Sequence, residues 1–338
     1  MRPIPWLLSK VLLYLWVLIG ATFSYAVHAD DESNLASPLA ASPKIVYIAS
    51  DLAIPFWKIM ASGVAKNAGE LGYGFEAYDA KNSVRNELIH TVKAINEHVA
   101  GIIISPQTSS SCAMVLKLAK QAGIPVVIAD IGTDDGEYVS YISSNNWQGA
   151  YDIGQVLVSN LNQRGWRNGK VGIIAIPQKR LNGQLRTSGF MKALTESGIE
   201  SVDIRQMRTF SQEETYLYAV DLIKRYPDLR AIWIQTSHTV GAALRAINDL
   251  GKSDDIALIS FDAEPGFIGL IRDNVILGSA MQQPYLMGQE ALTVLSLYLE
   301  GKPLEKKIQL PILIISKENV VAKSSLIKRT VLGLDESE

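Results

Sequence analysis

Residues capable of covalent or metal chemistry are few in this chain and poorly spaced for it. The histidines are His28, His90, His98 and His238, and the single cysteine is Cys112. No HExxH pair or Cys/His cluster occurs, so metal-ligand spacing is not met. There is no GxSxG elbow and no phosphate-binding loop. A glycine-rich dinucleotide fingerprint is also missing after the first apolar run, which argues against a nicotinamide enzyme, and no cofactor is expected. What recurs is a different pattern, in which apolar runs end in short polar side chains or large aromatics. The segments are Ser50 to Trp57, Ser105-Pro106-Gln107-Thr108, Ala129-Asp130, Ser144-Asn145-Asn146, Arg186 in QLRTSGF, Phe210, Thr236-Ser237, Phe261-Asp262 and Gln282-Gln283-Pro284. Such a set offers hydrogen bonds to hydroxyls and flat apolar faces for a ring. This is the chemistry of binding.

The elements that must position these groups alternate along most of the chain. Apolar runs predict strands over Ile45–Ala49, Phe75–Tyr78, Gly101–Ser105, Val126–Ala129, Val171–Ile176, Val202–Met207, Ala231–Gln235, Ala257–Phe261 and Leu277–Met281. Amphipathic stretches between them predict helices over Ser62–Leu71, Glu87–Glu97, Ala113–Ala122, Tyr151–Leu161, Leu185–Glu196, Glu213–Arg225 and Val240–Leu250. Pro55 opens the first helix where its missing N–H costs nothing. Gly72, Gly123, Gly198 and Gly251 follow four helices as C-terminal caps do. Strands spaced by helices of this length make parallel βαβ units. The strands are too many for one sheet and the series restarts at Val171, so the expected fold is α/β with two Rossmann-like lobes and a ligand cleft between them. Ligands of such sheets sit beyond the carboxyl ends of the strands.

The 338-residue chain carries a formal charge of −2 and no basic block, which makes nucleic acid and acidic membrane surfaces poor partners. At the N-terminus, Arg2 and Lys10 bracket a basic region, Val11 to Ala21 is apolar, and Val27-His28-Ala29 supplies small residues for cleavage. Residues 1–29 are therefore expected to be a secretory signal that directs the protein to the periplasm. The apolar run is shorter than the ~20 residues of a membrane span, and retention as an anchor is the alternative. Residues 30–43, rich in Ser, Ala and Pro, read as a flexible tether. One cysteine cannot form an internal disulfide, and Cys112 reads as a small buried hydrophobe. The pair Lys306-Lys307 reads as a solvated face.

Order and spacing together resemble the type I periplasmic solute-binding proteins, in their ribose and related sugar-binding branch. The resemblance is carried by Pro55-Phe56-Trp57, Gly101 to Pro106, Ala122 to Val126, Ile128-Ala129-Asp130, Arg186 with Gly189-Phe190, Tyr226 to Ile232, and Ser260-Phe261-Asp262. It implies two lobes joined by a three-crossing hinge, with residues 44–144 and 283–311 in one lobe and 145–282 and 312–338 in the other. Hinge segments are then expected at Ser144–Asn145 and Gln282–Pro284. It also implies ligand contacts from Ser50, Phe56, Trp57, Ser105, Asp130 and Ser144 in the first lobe. Arg186, Phe210, Thr236 and Asp262 come from the second, with Gln282 near the hinge. Asp130 and Asp262 could each accept bonds from vicinal hydroxyls, and Arg186 could donate several in a fixed fork.

The chain departs from that pattern at Ile54, Ile131 and Thr236, where ribose binders carry Asn, Arg and Asn. Loss of two donors to isoleucine predicts a less polar mouth and makes ribose itself a poor fit. The role so implied is that of a monomeric receptor that captures a small polar ligand, sugar or sugar-like, for the permease of an ATP-binding-cassette importer. The alternative is a periplasmic partner of a sensor histidine kinase or chemoreceptor. Each site residue also has an ordinary role open to it: Asp130 as a turn cap, Asp262 as a helix cap, the aromatics as core. An enzyme using Asp130 and Asp262 as a carboxylate pair is the remaining reading of another class.

Overall fold

The computed structural model describes residues 42–334. The expected signal segment 1–29 and most of the expected tether lie outside them. In chain order the first strands are β1 (Lys44–Ala49), β2 (Gly74–Asp79), β3 (Gly101–Ile104), β4 (Val126–Ala129) and β5 (Tyr141–Ser144). Those of the second series are β6 (Lys170–Ala175), β7 (Ser201–Gln206), β8 (Leu229–Ile234), β9 (Ala257–Phe261) and β10 (Gly278–Met281), followed by β11 (Lys307–Leu310) and β12 (Leu313–Ser316). They form two six-stranded sheets, ordered β11-β5-β4-β3-β1-β2 and β12-β10-β9-β8-β6-β7. Pairing is parallel except where β12 runs antiparallel to β10. The α/β architecture in two lobes is as expected, and the two sheets repeat the same order of strands.

The helices are α1 (Pro55–Leu71), α2 (Val84–Asn96), α3 (Ser109–Gln121), α4 (Asn146–Gln163), α5 (Leu181–Glu196), α6 (Gln212–Arg225), α7 (Val240–Asp249), α8 (Phe267–Arg272) and α9 (Pro284–Leu299). Strand β1 shows why the sheets sit where they do. Ile45, Tyr47 and Ala49 face one helical layer while Val46 and Ile48 face the other, and all are fully buried. Two buried faces require a near-continuous apolar run, which is what the sequence supplies. Pro55 stands in the first turn of α1, and Gly72 ends that helix at φ 76° with its N–H bonded to Ala68 O. Helix α3 begins with a reciprocal cap between Thr108 and Ser111, and Ser83 caps α2 by accepting from Asn86 N.

Each lobe is closed by a helix pair in backbone contact. In the first, α1 and α9 approach so closely that a Cβ on Gly288 would sit 2.2 Å from Met60 O. In the second, a Cβ on Gly189 of α5 would sit 2.1 Å from Trp147 O of α4. Any side chain at either position would force the helices apart and open the core.

The chain leaves the first sheet after β5 and enters the second through α4 and β6. It returns after β10, because α9 packs against α1, β3, β4 and β5. It crosses again between β11 and β12. A fourth passage was not anticipated. After β12 the segment Ser324–Leu326 runs into a wide-turned helix, Ile327–Leu332, which packs on α9 of the first lobe. Ile327, Val331 and Leu332 are buried there, and Gly333, at φ 66°, lies against the Tyr285 ring. The end of the described chain therefore lies on the first lobe, where residues 312–338 were all expected on the second.

Lys306 and Lys307 are exposed, as expected of a solvated face, although Lys307 begins the edge strand β11 and its backbone pairs with Tyr141 of β5. No helix of the described residues is long and apolar enough to cross a membrane. Among the same residues no group of three or more His, Cys, Asp or Glu is placed to hold a metal ion.

Candidate functional site: the cleft between the lobes

Between the carboxyl ends of the two sheets lies a small cavity, lined by Ile54, Phe56, Trp57 and Asp130 from the first lobe. Ile176, Arg180, Asn182, Arg186, Phe210, Thr236 and Asp262 come from the second, and Gln282 from the hinge. Its size restricts an occupant to a small molecule.

Asp130 follows β4 and Asp262 follows β9, the same position in the two repeated strand orders. Both backbones turn left-handed there, at φ 67° and 66°. Each N–H reaches the next strand, Asp130 to Ile142 O at 2.9 Å and Asp262 to Ala280 O at 2.8 Å. Phe210 adopts φ 57°. Left-handed backbone at a residue with a Cβ costs about 1 kcal/mol or more and survives only where the surroundings impose it. Of the seven such non-glycine residues among those described, these three line the cavity.

Charge in the cleft is arranged unevenly. The Arg186 guanidinium, 2% exposed, donates from Nε to Asn146 Oδ1 at 2.8 Å and from Nη1 to Gln235 O at 2.7 Å. It also pairs with Asp262 Oδ2 at 3.3 Å and lies 3.9 Å from the centroid of the Phe261 ring. Gln282 Nε2 donates to the other Asp262 oxygen at 2.8 Å. Asp130, by contrast, accepts from Asn182 Nδ2 across the cleft at 3.3 Å. Burial raises the Asp130 carboxyl to about 6, with the Arg186 charge pulling the other way. Burial also raises the Asp262 carboxyl, again opposed first by Arg186.

Arg180 bridges the lobes. Its Nε donates to Gln107 O at 3.0 Å and its Nη2 to Asn82 Oδ1 at 3.3 Å, both acceptors in the first lobe. The guanidinium stands 5.4 Å from the centroid of Trp57 and 5.2 Å from that of Phe210. Trp57 and Phe56 meet edge to face at 5.9 Å. Two buried polar atoms of the lining, Trp57 Nε1 and Gln282 Oε1, have no protein partner. A donor and an acceptor left unpaired in one cavity are the groups that a polar ligand would satisfy.

Eight of the expected contacts thus line one cavity: Phe56, Trp57, Asp130, Arg186, Phe210, Thr236, Asp262 and Gln282. Three do not. Ser50 Oγ donates to Pro106 O at 3.2 Å, and Ser50 O accepts from Gln107 Nε2 at 2.6 Å, so this residue fixes Gln107 instead of facing the cavity. Ser105 Oγ is engaged with Tyr47 Oη at 2.9 Å within the first lobe. Ser144 Oγ is buried without a protein partner and is not part of the lining.

The expected loss of polarity at the mouth is also corrected. Ile54 lines the cavity and Ile131 is buried, as apolar residues do, but Arg180 and Asn182 bring donors from the opposite lobe. Both were missed. They sit at the carboxyl end of β6, the counterpart of the β1 end that holds Phe56 and Trp57, and that equivalence was the available signal.

The family model of the periplasmic binding protein domain matches residues 45–303. The chain belongs to this family, whose type I members are solute-binding proteins and not enzymes. Similar curated proteins include the ribose import binding protein RbsB of Escherichia coli K12, 25% identical over 286 residues that cover 85% of this chain and 95% of that protein. The D-apiose import binding protein of Paraburkholderia graminis is 27% identical over 75% of this chain and 81% of its own length. Among solved structures, a carbohydrate transporter solute-binding protein from Agrobacterium radiobacter in complex with D-arabinose superposes with a TM-score of 0.79. It is 21% identical and covers 86% of this chain and 99% of its own, a likeness of fold.

Proposed function

We propose that this protein is an exported receptor that captures a small, polyhydroxylated ligand of the sugar class by closing its two lobes, in the periplasm, for an ATP-binding-cassette importer. The observation that carries the proposal is the pair of strained aspartates, one from each lobe, facing one small cavity walled by Phe56, Trp57 and Phe210. Carboxylates accept the paired bonds that vicinal hydroxyls offer, while aromatic walls cover the apolar faces of a ring. The ligand contacts in this reading are the eight expected residues of the lining together with Arg180 and Asn182. The importer role is supported by the curated relatives, which are import binding proteins. Segment 1–29 is the export signal in this reading.

Ligand contacts to both lobes favour the closed arrangement, since only differential affinity shifts such an equilibrium. The passages after β5, after β10 and between β11 and β12 are the hinge. The test is thermal unfolding across a panel of pentoses, hexoses, polyols and sugar acids. A ligand at ~1,000 times its dissociation constant adds about 4 kcal/mol of stability, an easily read shift. No shift with any compound of the panel would contradict the assignment of ligand class.

A further inference from the structure

The two arginines of the cleft are not equivalent. Arg186 is answered by Asp262 and by two further acceptors, so its charge is partnered within its own lobe. Arg180 is as deeply buried, at 3% exposure, yet no carboxylate lies within ion-pair distance of it among the described residues. Its two protein bonds go to neutral oxygens, Gln107 O and Asn82 Oδ1, and aromatic rings flank the guanidinium.

Carboxylates that act on Arg180 at longer range are Asp130, Glu87 and Asp51, and burial outweighs them, lowering the guanidinium to about 10. Glu87 is itself held elsewhere, accepting Gln107 N–H at 2.6 Å. A desolvated cation without a partnered anion is costly to keep. It is worth keeping where an anion is brought to it; a guanidinium pairs bidentately with carboxylates and phosphates, and the small cavity favours the more compact carboxylate. Asp130 and Arg180 line the same cavity without touching each other, so one wall accepts from hydroxyls while the other donates to an acid.

Resting on the sugar-class reading above, we propose that the ligand binds as an anion, a small polyhydroxylated carboxylate whose acid group pairs with Arg180 while its hydroxyls reach Asp130. A sugar acid has this chemistry and its parent aldose does not.

The experiment is calorimetric titration of the full chain with matched pairs: ribonate against ribose, gluconate against glucose, galacturonate against galactose. In at least one pair the acid is expected to bind about tenfold or more tightly than its neutral partner, which is about 1.4 kcal/mol or more. Arg180→Gln removes the charge and keeps a donor, and is expected to bring the two members of that pair close to equal affinity. Arg180→Lys keeps the charge and is expected to retain part of the preference. An aldose bound as tightly as its acid by the wild-type protein would overturn the proposal and leave the sugar-class reading intact. Equal weakening of acid and aldose by Arg180→Gln would also overturn it, making Arg180 a latch between the lobes. Failure of every acid and every neutral sugar to bind would overturn both this proposal and the reading beneath it.

Discussion

The ends of β4 and β9 present the same local structure and opposite electrostatic solutions. Each strand is buried to its last residue, then delivers an aspartate in left-handed conformation bonded through its N–H to the neighbouring strand. Asp262 is wired into its own lobe and hinge by Arg186 and Gln282. Asp130 finds Asn182 only across the cleft, at 3.3 Å. The Asp262 carboxylate therefore has its partners without any contribution from the first lobe. The first lobe carries a buried acid whose partners arrive with closure or with ligand. Under the proposed capture, orientation of the ligand falls to the second lobe and the sensing of closure to the first.

The largest expected effect breaks the partnered side. Asp262→Ala leaves the Arg186 charge buried without its partner and is expected to cost about 3–5 kcal/mol of stability, measured by chemical denaturation. A loss below about 1 kcal/mol would show that the pair carries little of the second lobe's integrity.

Asp130 sharpens the comparison through pH. Its carboxyl is raised to about 6 by burial, so ionisation is less favourable in the folded state than in the unfolded chain. The stability this contributes is full below the ordinary aspartate value and is lost as pH rises through 6, a change on the order of 3 kcal/mol. Asp130→Asn removes that titration. The difference in stability between variant and wild type is expected to move in the variant's favour from pH 5 to pH 8. A difference independent of pH would contradict the assignment. Ligand affinity moves the other way, because the ionised carboxylate is the better acceptor; Asp130→Asn is expected to lose about 1–3 kcal/mol of binding by titration calorimetry.

Ser144 gives the smallest effect. Its hydroxyl is buried and unpaired at the β5 crossing, outside the cavity. Ser144→Ala is expected to change ligand affinity by less than about 0.5 kcal/mol and to leave stability equal or slightly higher. A tenfold loss of affinity would return Ser144 to the set of ligand contacts.

Much of the fold was legible because parallel strands buried on both faces leave long apolar runs, as Ile45 to Ala49 does, and because Gly72, Gly123, Gly198 and Gly251 mark where four of the helices stop. Strands β5 and β11 were not, for a physical reason. Tyr141–Ser144 alternates buried and half-buried residues, and Lys307–Leu310 is an edge strand with two exposed positions, so neither shows an apolar run. The terminal helix was misplaced because its partner, α9, is known only from tertiary packing.

Within the cleft, the acids at strand ends were readable because burying a carboxylate without a partner is costly, and the aromatics because they stand at a sheet edge where a core residue gains less by burial. The serines were over-read. A short hydroxyl at a strand end can turn toward its own lobe, as Ser50 and Ser105 do, and sequence does not give that direction. Arg180 was under-read because a basic pair such as Lys179-Arg180 in a loop ordinarily belongs to the solvent. Its burial arises from Trp57 and Phe210, residues of different lobes that meet it only in the folded chain.

Capture by closure is the claim on which the rest stands, and small-angle X-ray scattering of the full chain tests it most directly. The protein without ligand is expected to show a larger radius of gyration than the closed arrangement described above. Saturation with the tightest compound of the sugar and sugar-acid panel is then expected to bring it down to that closed value. The same radius in both states, with binding established independently by calorimetry, would contradict closure and with it the division of labour between Asp130 and Asp262.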